Sequence, residues 1–435
     1  MSDTTSDRPS EPTGGTSVRR LRLNRFRNYP DLDLACGADI VVLAGPNGAG
    51  KTNLLEALSL LSPGRGLRGA SLGELGYELA YGHGHGRGSA DWSIVADLAT
   101  PDGPLRIGTG MDMGGDPDAG PGARSGARSG ARSGARSGTR RVLRIDGQSP
   151  ASQSALEERI GIVWMTPEMD RLFHDGASAR RRFLDRLVAG FDPGHAGRVA
   201  AYTKAIRERA RLLKTNRDDA NWLAAVEARA AGQGVAVAAA RRDVVQRLNA
   251  ALGAQPEDAL PHAHIDVAGA VEAWLADMPA VAAEDRFRAA LEADRPADAA
   301  AGRTATGPHR SDLEARHVGQ DCPVARCSTG EQKAILVNLV LAYACSLADC
   351  RPSAPILLLD EAVAHLDPER RQALFSRLAG YGAQIWISAT ELSPLVGLSE
   401  MIQTYKPNRT IDVFRVENGT LAAESPRARD VAAAS

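Results

Sequence analysis

A glycine-rich loop near the start of the chain has the residue types and spacing needed to hold phosphate groups. The pattern G-x-x-x-x-G-K-[ST] is met by Gly45, Pro46, Asn47, Gly48, Ala49, Gly50, Lys51 and Thr52. An apolar run precedes the loop and an apolar-periodic run follows it, which predicts the order strand, loop, helix. Backbone N–H groups of such a loop point at phosphates, and the helix start adds a positive dipole end. Lys51 is expected to neutralise the outer phosphates and the Thr52 hydroxyl to ligate Mg²⁺, so the loop predicts ATP binding.

Two adjacent carboxylates follow a second apolar run far along the chain. Residues 356–359 predict a buried strand that ends in Asp360 and Glu361. The carboxyl ends of parallel strands are where ligands bind in open α/β sheets. Asp360 is expected to hold Mg²⁺, directly or through water, and Glu361 to polarise the attacking water as general base. A strand ending in acidic residues is common by itself, but together with the phosphate loop it predicts ATP hydrolysis.

A polar turn opens the longest apolar helix that the sequence predicts. The turn consists of Ser328, Thr329, Gly330, Glu331 and Gln332. Its N–H groups and the Ser328 hydroxyl would form an anion-binding helix start, although a plain N-cap serine is the alternative. The turn resembles the signature motif of ABC-type ATPases, which binds the γ-phosphate of ATP held by the other protomer. Residues 364–367, which end in Asp367, resemble the D-loop that crosses the same interface.

Seven segments in a fixed order narrow this resemblance. They are FRNYPDLDL, GPNGAGKTNLLEAL, SPGRGLRGAS, MTPEMDRLF followed by RRRFLDRL, TGPHRSDL, STGEQKAILVNLVLA and LLLDEAVAHLDPERR. Together they are similar to the RecF family of DNA replication and repair proteins, which are relatives of the SMC and Rad50 ATPases. The similarity covers both chain ends and the start of the middle segment. Beyond about residue 215 it is limited to general helical character.

The resemblance implies roles for residues that the patterns alone do not single out. Arg65 resembles an arginine near the phosphates in SMC-like proteins, with an ordinary surface arginine as the alternative. Glu168 lies where many ABC ATPases carry a Q-loop glutamine, so a contact to Mg²⁺ or water is expected. The implied signature residues are Ser328, Gly330 and Gln332. Thr390 stands where transporter ATPases carry a switch histidine, which implies slow hydrolysis.

A basic stripe is predicted on one helix of the middle segment. Its four cations, spaced three, four and three residues apart, are Lys204, Arg207, Arg211 and Lys214. This spacing places them on one helix face, where they fit contacts to DNA phosphates. The face predicted to pack inward holds Tyr202, Ile206, Ala210 and Leu213. A solvated charged face is the alternative, and the sequence shows no helix-turn-helix or finger motif for base readout.

Composition excludes several classes of protein. The 52 basic and 53 acidic residues give a net charge of −1, which excludes a uniformly basic coat protein. Aromatic residues make up 4%, which argues against a base-stacking surface. The five cysteines form no C-x-x-C pair, which argues against a zinc-binding site and favours location in the reducing cytoplasm. The polar start lacks the apolar segment of a signal peptide, and the apolar run 334–348 is too short to span a bilayer.

The order of predicted elements indicates an α/β fold, an ABC-type ATPase head built from both chain ends with an inserted helical arm lobe. Residues 1–17 are expected to form a disordered tail and residues 18–176 the first part of the head. A flexible insertion with a four-residue repeat, GARS, is expected at about 114–140. Residues 177–300 are assigned to the helical arm, 301–420 to the second part of the head, and 421–435 to a tail.

These observations and the resemblance imply an ATP-dependent DNA-binding protein of recombinational repair, replication-gap processing and the SOS response to DNA damage. A slow ATPase would form an ATP-sandwich homodimer on double-stranded or gapped DNA and assist recombinase loading, with RecO and RecR as partners and no membrane. Two alternatives stay open at this stage. One is a nucleotide-binding subunit of an ABC transporter, and the other is a structural SMC-like ATPase.

Overall fold

The computed structural model describes residues 15–77, 91–111, 141–150, 156, 159–215, 220–256 and 258–424. The chain forms two compact units, one from Met1–Pro167 with Arg351–Ser435 and the other from Glu168–Cys350. The first is called the two-ended unit and the second the central unit. The predicted GARS insertion lies outside the described residues. The predicted domain assignment, which places the signature turn in the ATPase head, stays a prediction.

The described strands and helices follow one another along the chain. The strands are β1 (Ser17–Phe26), β2 (Tyr29–Ala35), β3 (Ile40–Ala44), β4 (Ser93–Thr100), β5 (Gly103–Met111), β6 (Arg141–Ile145), β7 (Ile162–Met165), β8 (Ala263–Ala268), β9 (Asp312–His317), β10 (Cys322–Pro323), β11 (Ile356–Asp360), β12 (Ile385–Ala389), β13 (Ile411–Glu417) and β14 (Thr420–Glu424). The α-helices are α1 (Lys51–Ser59), α2 (Ala177–Phe191), α3 (His195–Thr215), α4 (Ala220–Gly253), α5 (Ala270–Asp277), α6 (Ala280–Ala293), α7 (Arg295–Ala301), α8 (Thr329–Cys350), α9 (Pro368–Gly380) and α10 (Val396–Tyr405).

The two-ended unit contains two sheets with α1 in their shared core. One sheet is antiparallel, in the order β2-β1-β4-β5-β6, and the other has the order β14-β13-β3-β12-β11-β7. In the second sheet β13, β3, β12, β11 and β7 run parallel. The strands β3, β11 and β12 are buried along their whole length, which explains their continuous apolar sequences. Leu54, Leu55 and Leu58 of α1 are fully buried in the same cluster as residues of both sheets.

The central unit consists mainly of helices with a small antiparallel sheet in the order β10-β9-β8. A separate apolar cluster joins α3, α4 and α6 through Tyr202, Val226 and Phe287. The apolar helix α8 is, among the described helices, the one long and apolar enough to cross a membrane. Because 78% of its apolar window is buried within the protein, its placement is that of a core helix.

The structure differs from three sequence-based boundaries. Strand β8 lies inside the segment predicted to be a helical arm. Its side chains alternate between buried and exposed, a two-residue period that is typical of strands and that the alanine-rich surroundings concealed. Ser17, assigned to the first tail, begins β1 because its strand pairs with β4. Residues 421–424, assigned to the last tail, form β14 because they complete a hairpin with β13.

The inward face of α3 was predicted correctly at Tyr202 and incorrectly at the other three positions. The buried residues of this face are Tyr202, Ala205, Arg209 and Leu212, whereas Ile206, Ala210 and Leu213 are half-buried. The prediction placed the inward face opposite the basic stripe and did not include Arg209. Arg209 is fully buried because carboxylates on two other helices compensate its charge, and the buried face turns accordingly.

Candidate nucleotide and DNA sites

The phosphate loop connects the end of β3 to the start of α1 and requires glycine at two close contacts. Gly45 has φ +156° and Gly50 has φ +118°. A Cβ atom on Gly45 would lie 2.2 Å from the Val416 carbonyl oxygen, and one on Gly50 would lie 2.5 Å from Asn28 Nδ2. Neighbouring backbone and side chains therefore hold the loop from both sides, with its N–H groups at the start of a helix.

Lys51 lies inside the loop rather than in solvent. It is 4% exposed, and its Nζ donates to the carbonyl oxygens of Gly45 at 2.6 Å and Pro46 at 3.0 Å. Burial lowers the pKa of the Lys51 ammonium, while the nearby Glu361 and Asp360 carboxylates oppose that shift. Phosphate oxygens would compensate a cation that is otherwise only partly solvated, so the lysine is prepared for an anionic ligand.

Asp360 and Thr52 meet although they lie far apart in the sequence. The Thr52 hydroxyl donates to Asp360 Oδ1 at 3.2 Å, and the Ser388 hydroxyl donates to the same oxygen at 2.5 Å. Asp360 is 2% exposed, and its Oδ2 has no hydrogen-bond partner among the described residues. A buried carboxylate oxygen next to a threonine hydroxyl is a donor set that fits Mg²⁺. The next residue, Glu361, has φ +52°, which is uncommon for a side chain with a Cβ atom and is often found at functional positions.

The turn between β1 and β2 supports the phosphate loop, a contact that sequence reasoning missed. Asn28 Nδ2 donates to the Ala49 carbonyl oxygen at 3.0 Å, and the buried Tyr29 hydroxyl donates to the Gly50 carbonyl oxygen at 3.0 Å. From the other side, the Gly419 N–H in the β13–β14 turn donates to the Ala49 carbonyl oxygen at 3.1 Å. The segment FRNYPDLDL contributed only to a resemblance, and nothing in its local pattern indicated this contact.

A buried carboxylate links the same turn to α1. Glu56 is fully buried, and the Arg27 guanidinium donates to both of its carboxylate oxygens at 2.8 and 2.9 Å. Arg68 donates to Glu56 at 3.3 Å and to Asn53 Oδ1 at 2.6 Å. The helix that begins at Lys51 is therefore fixed in place by two arginines at its side.

Arg65 is exposed in the segment that follows α1. The half-buried Arg141 guanidinium holds this segment through the carbonyl oxygens of Gly64 and Leu60. Burial lowers the pKa of Arg141 to about 10. Arg65 thus lies on a supported loop of the two-ended unit, and its predicted phosphate contact stays a prediction.

The signature turn in the central unit is a reciprocal helix cap. The Ser328 backbone N–H and hydroxyl both donate to Glu331 Oε2 at 2.9 Å, and the Glu331 N–H donates to Ser328 Oγ at 3.3 Å. This is the capping-box arrangement. Ser328 and Thr329 are exposed and Gly330 is half-buried, so the start of α8 is accessible.

Gln332 and Lys333 join the signature helix to the segment that precedes α2. Gln332 Nε2 donates to the Cys327 carbonyl oxygen and to His174 Nε2, both at 2.9 Å, while its buried Oε1 has no partner among the described residues. Lys333 Nζ donates to Asp170 Oδ2 at 3.1 Å. The predicted Q-loop residue, Glu168, is exposed on the same short 3₁₀ turn, Pro167–Arg171.

Asp367 is the N-cap of α9 in the two-ended unit. Its Oδ1 accepts from the Arg370 N–H at 2.9 Å, and its Oδ2 pairs with the Arg370 guanidinium at 3.1 Å. A structural reason for an aspartate at this position therefore exists beside the predicted D-loop role.

The basic stripe on α3 is fully accessible. Its members Lys204, Arg207, Arg211 and Lys214 are all exposed, and within the described part of the chain none pairs with a carboxylate. A groove of about 530 Å³ borders three of them together with Glu208. Glu208 accepts from Trp222 Nε1 at 3.1 Å and from Arg229 at 3.3 Å, so α4 partly neutralises this acid beside the stripe.

The segment TGPHRSDL is a structural centre of the central unit. His309 Nε2 donates to the Thr304 carbonyl oxygen at 3.0 Å, which leaves His309 Nδ1 to accept from the Tyr202 hydroxyl at 2.6 Å. Burial lowers the pKa of His309, which is consistent with this neutral ring. Arg241 on α4 donates to the Pro308 carbonyl oxygen at 2.6 Å. The segment therefore connects α3 and α4.

The predicted site residues divide between the units. The phosphate loop, Arg65, Asp360, Glu361 and Asp367 belong to the two-ended unit. The signature residues, Glu168 and the basic stripe belong to the central unit. Among the described residues no three His, Cys, Asp or Glu side chains cluster as metal ligands.

The chain is similar in sequence and in fold to known proteins. The family described as "AAA domain, putative AbiEii toxin, Type IV TA system" matches residues 40–85, which include the phosphate loop. The chain is 44% identical over 393 residues to the DNA replication and repair protein RecF of Mesorhizobium japonicum, covering 89% of this chain and 96% of that protein. It is 42% identical over 386 residues to RecF of a Caulobacter species, covering 86% and 92%.

A solved structure of the recombination mediator protein RecF-ATPrS in the RecFOR pathway is similar to this chain with a TM-score of 0.74 at 20% identity. The match covers 96% of this chain and 100% of that chain. The corresponding RecF-ATP structure gives a TM-score of 0.72 and covers 95% and 98%. These similarities confirm the predicted α/β fold class.

Proposed function

The chain belongs to the RecF family of DNA replication and repair proteins, and from that premise we propose that it is an ATP-dependent DNA-binding ATPase of recombinational repair. One observation carries the proposal. The phosphate loop holds a buried lysine, and the Asp360 carboxylate lies against Thr52 with one oxygen unpartnered among the described residues. Membership of this family leaves no support for the transporter alternative.

ATP is the nucleotide, and its phosphates bind the N–H groups of residues 47–52 and the Lys51 ammonium. Thr52 and Asp360 hold Mg²⁺, with Glu168 as the further predicted contact, and the ion neutralises charge on the phosphates. Lys51 exchanges its two carbonyl acceptors for phosphate oxygens on binding. Glu361 orients the attacking water and accepts its proton, while Arg65 contacts the phosphates from the loop after α1.

The active form is a homodimer with ATP sandwiched between protomers. The exposed start of α8 offers N–H groups and the Ser328 hydroxyl to the γ-phosphate bound by the partner, and Gly330 allows close approach. Gln332 fixes the turn through Cys327 and His174. Asp367, exposed at the start of α9, contacts the partner across the same interface.

The basic stripe on α3 contacts the phosphates of double-stranded or gapped DNA. Four exposed cations without carboxylate partners among the described residues are suited to this role because their charge is available to displace counterions. The dimer acts in the cytoplasm, away from membranes. It assists recombinase loading with RecO and RecR, and slow hydrolysis releases the DNA.

Light scattering with and without ATP tests the sandwich dimer. Glu361→Gln is expected to bind ATP and accumulate as a dimer, because only water activation is lost. Lys51→Ala is expected to bind little ATP and stay monomeric. Ser328→Arg is expected to bind ATP but not dimerise, because a bulky cation blocks the partner's phosphate. A monomeric Glu361→Gln protein at saturating ATP would exclude the sandwich.

Fluorescence anisotropy with a duplex at several salt concentrations tests the stripe. Reversing all four cations to Glu is expected to weaken binding and to flatten the salt dependence by about 0.9 units of slope per lost phosphate contact. Two single variants are compared. Arg207→Glu is expected to weaken DNA binding, and Arg288→Glu, which changes an exposed arginine of α6 that pairs with Asp285, is expected to leave it unchanged. If the four-fold reversal keeps its affinity and slope, the DNA site lies elsewhere.

A further inference from the structure

Two cysteines lie next to each other immediately before the signature turn. Cys322 is in β10, and Cys327 follows the 3₁₀ turn Val324–Arg326. Their sulfur atoms are 3.7 Å apart and both residues are half-buried. A disulfide has an S–S length of about 2.05 Å, so the sulfurs need to approach by less than about 2 Å. Side-chain rotation with a small backbone adjustment supplies a movement of that size.

We propose that Cys322 and Cys327 form a redox-modification site whose oxidation to a disulfide disables the signature turn. The consequence for dimerisation rests on the proposed function, whereas the modification itself does not. The reagent is a hydroperoxide, and a dithiol reverses the reaction.

The backbone connects Cys327 to the turn directly. Cys327 precedes Ser328, the N-cap of α8, and its carbonyl oxygen accepts from Gln332 Nε2 at 2.9 Å. Drawing the Cys327 sulfur toward Cys322 changes the orientation of this peptide. The Gln332 contact and the position of the Ser328 N–H then change together.

Side chains connect Cys322 to the same turn. The Cys322 thiol lies 3.7 Å from Gln320 Oε1, and Gln320 Nε2 donates to Glu331 Oε1 at 2.8 Å. Glu331 is the carboxylate that caps Ser328. A disulfide removes the thiol hydrogen that Gln320 accepts, so both cysteines are coupled to the cap through separate contacts.

The chemistry balances with a hydroperoxide as the oxidant. One thiol loses its proton and its sulfur attacks a peroxide oxygen, so the O–O bond breaks and a sulfenic acid and water form. The second sulfur then attacks the first, the S–O bond breaks, and the leaving hydroxide takes the second thiol proton as water. Two thiols are oxidised to one disulfide, and hydrogen peroxide is reduced to two waters.

The surroundings of Cys322 and Cys327 determine how readily the two thiols are oxidised. Burial, together with the neighbouring Cys322 thiol, raises the pKa of Cys327 to about 11. Cys327 is therefore mostly thiol at neutral pH, and the disulfide is expected to form faster as the pH rises. The closed loop is only a few residues long, so it stabilises the fold little and a dithiol reductant reopens it.

The test treats the intact protein with hydrogen peroxide and maps disulfide-linked peptides by mass spectrometry before and after reduction. A reversible Cys322–Cys327 link is expected in wild type and in Cys345→Ser, a control that removes an exposed thiol of α8. It is expected to be absent from Cys322→Ser. Failure to find this link in wild type while Cys345 and Cys350 react would overturn the proposal.

The consequence is measured on the same samples by ATP-dependent light scattering. Oxidised wild type is expected to dimerise at least about tenfold more weakly, because each dimer contains two damaged caps. Oxidised Cys322→Ser is expected to dimerise like its reduced form. If reduced wild type does not dimerise, the sandwich fails, and the coupling is read from hydrogen exchange at residues 328–333. A disulfide that leaves both dimerisation and this exchange unchanged would refute the coupling.

Discussion

Replacement of Arg209 by methionine is expected to destabilise the central unit severely. The fully buried guanidinium donates to Glu227 at 2.9 Å, to Asp298 at 2.6 Å, to Thr304 Oγ1 at 3.0 Å and to the Leu291 carbonyl oxygen at 2.5 Å. Methionine has a similar length but no donor. The four acceptors, two of them buried carboxylates, therefore lose their shared partner.

The size of the destabilisation follows from the hydrogen bonds and ion pairs that each acceptor keeps. Glu227 keeps a second cation, because Arg295 also donates to it. Asp298 is 2% exposed and keeps only the Ala305 N–H at 2.9 Å among the described residues. Removing one partner of a buried ion pair costs about 3–5 kcal/mol. For a unit of this size, that lowers the melting temperature by roughly 10 °C.

The matched control is Arg211→Met, two residues along the same helix. Arg211 is exposed, so the free energy of unfolding is expected to change by less than about 0.5 kcal/mol. Urea denaturation followed by circular dichroism measures both variants. Asp298→Asn in the Arg209→Met background is expected to recover part of the loss, because it removes the uncompensated charge. A loss below about 1 kcal/mol for Arg209→Met, or an equal loss for Arg211→Met, would refute the reasoning.

Three further outcomes concern the two-ended unit. Gly50→Ala is expected to reduce ATP affinity more than Gly48→Ala in nucleotide titrations, because a Cβ on Gly50 meets Asn28 at 2.5 Å whereas one on Gly48 meets open space. Equal losses would contradict this. Burial lowers the pKa of Lys51, so this side chain loses its charge at a lower pH than an exposed lysine does. ATP affinity is therefore expected to fall as the pH rises toward the pKa of Lys51. In Lys51→Arg the affinity is expected to stay constant with pH, because the guanidinium remains charged. A wild-type ATP affinity that does not change with pH would contradict this expectation. Deletion of residues 122–137, which hold no apolar side chain larger than alanine, is expected to leave melting temperature and ATPase rate unchanged, and a large drop in either would contradict it.

Local patterns predicted the elements that carry the nucleotide site. The apolar runs before Gly45 and Asp360 are strands because central parallel strands are buried on both faces, and buried strands need continuous apolar sequence. Helix α9 begins at Pro368 directly after the N-cap Asp367, a local pattern that is typical of helix starts. These features depend on neighbouring residues, so one sequence is enough to recognise them.

Contacts between distant segments were not predictable in this way. Asn28 supports the phosphate loop across a sheet, and no periodicity reports such a contact. Arg209 was not among the residues predicted to pack inward, and its buried partners lie on helices whose packing the sequence did not reveal. Strand β8 was hidden because an alternating run of six residues in alanine-rich surroundings carries little signal.

The strand order of the larger sheet determines how late in translation the phosphate loop can fold. Strand β3, which leads into the phosphate loop, pairs with β12 on one side and β13 on the other. Both of these strands lie near the C-terminal end of the chain. Until residues 385–417 have been translated, β3 lacks at least one of these two neighbours. The central unit is one continuous stretch and can fold first. A nascent chain therefore acquires its nucleotide site only as translation finishes, so truncated translation products lack a complete ATP site.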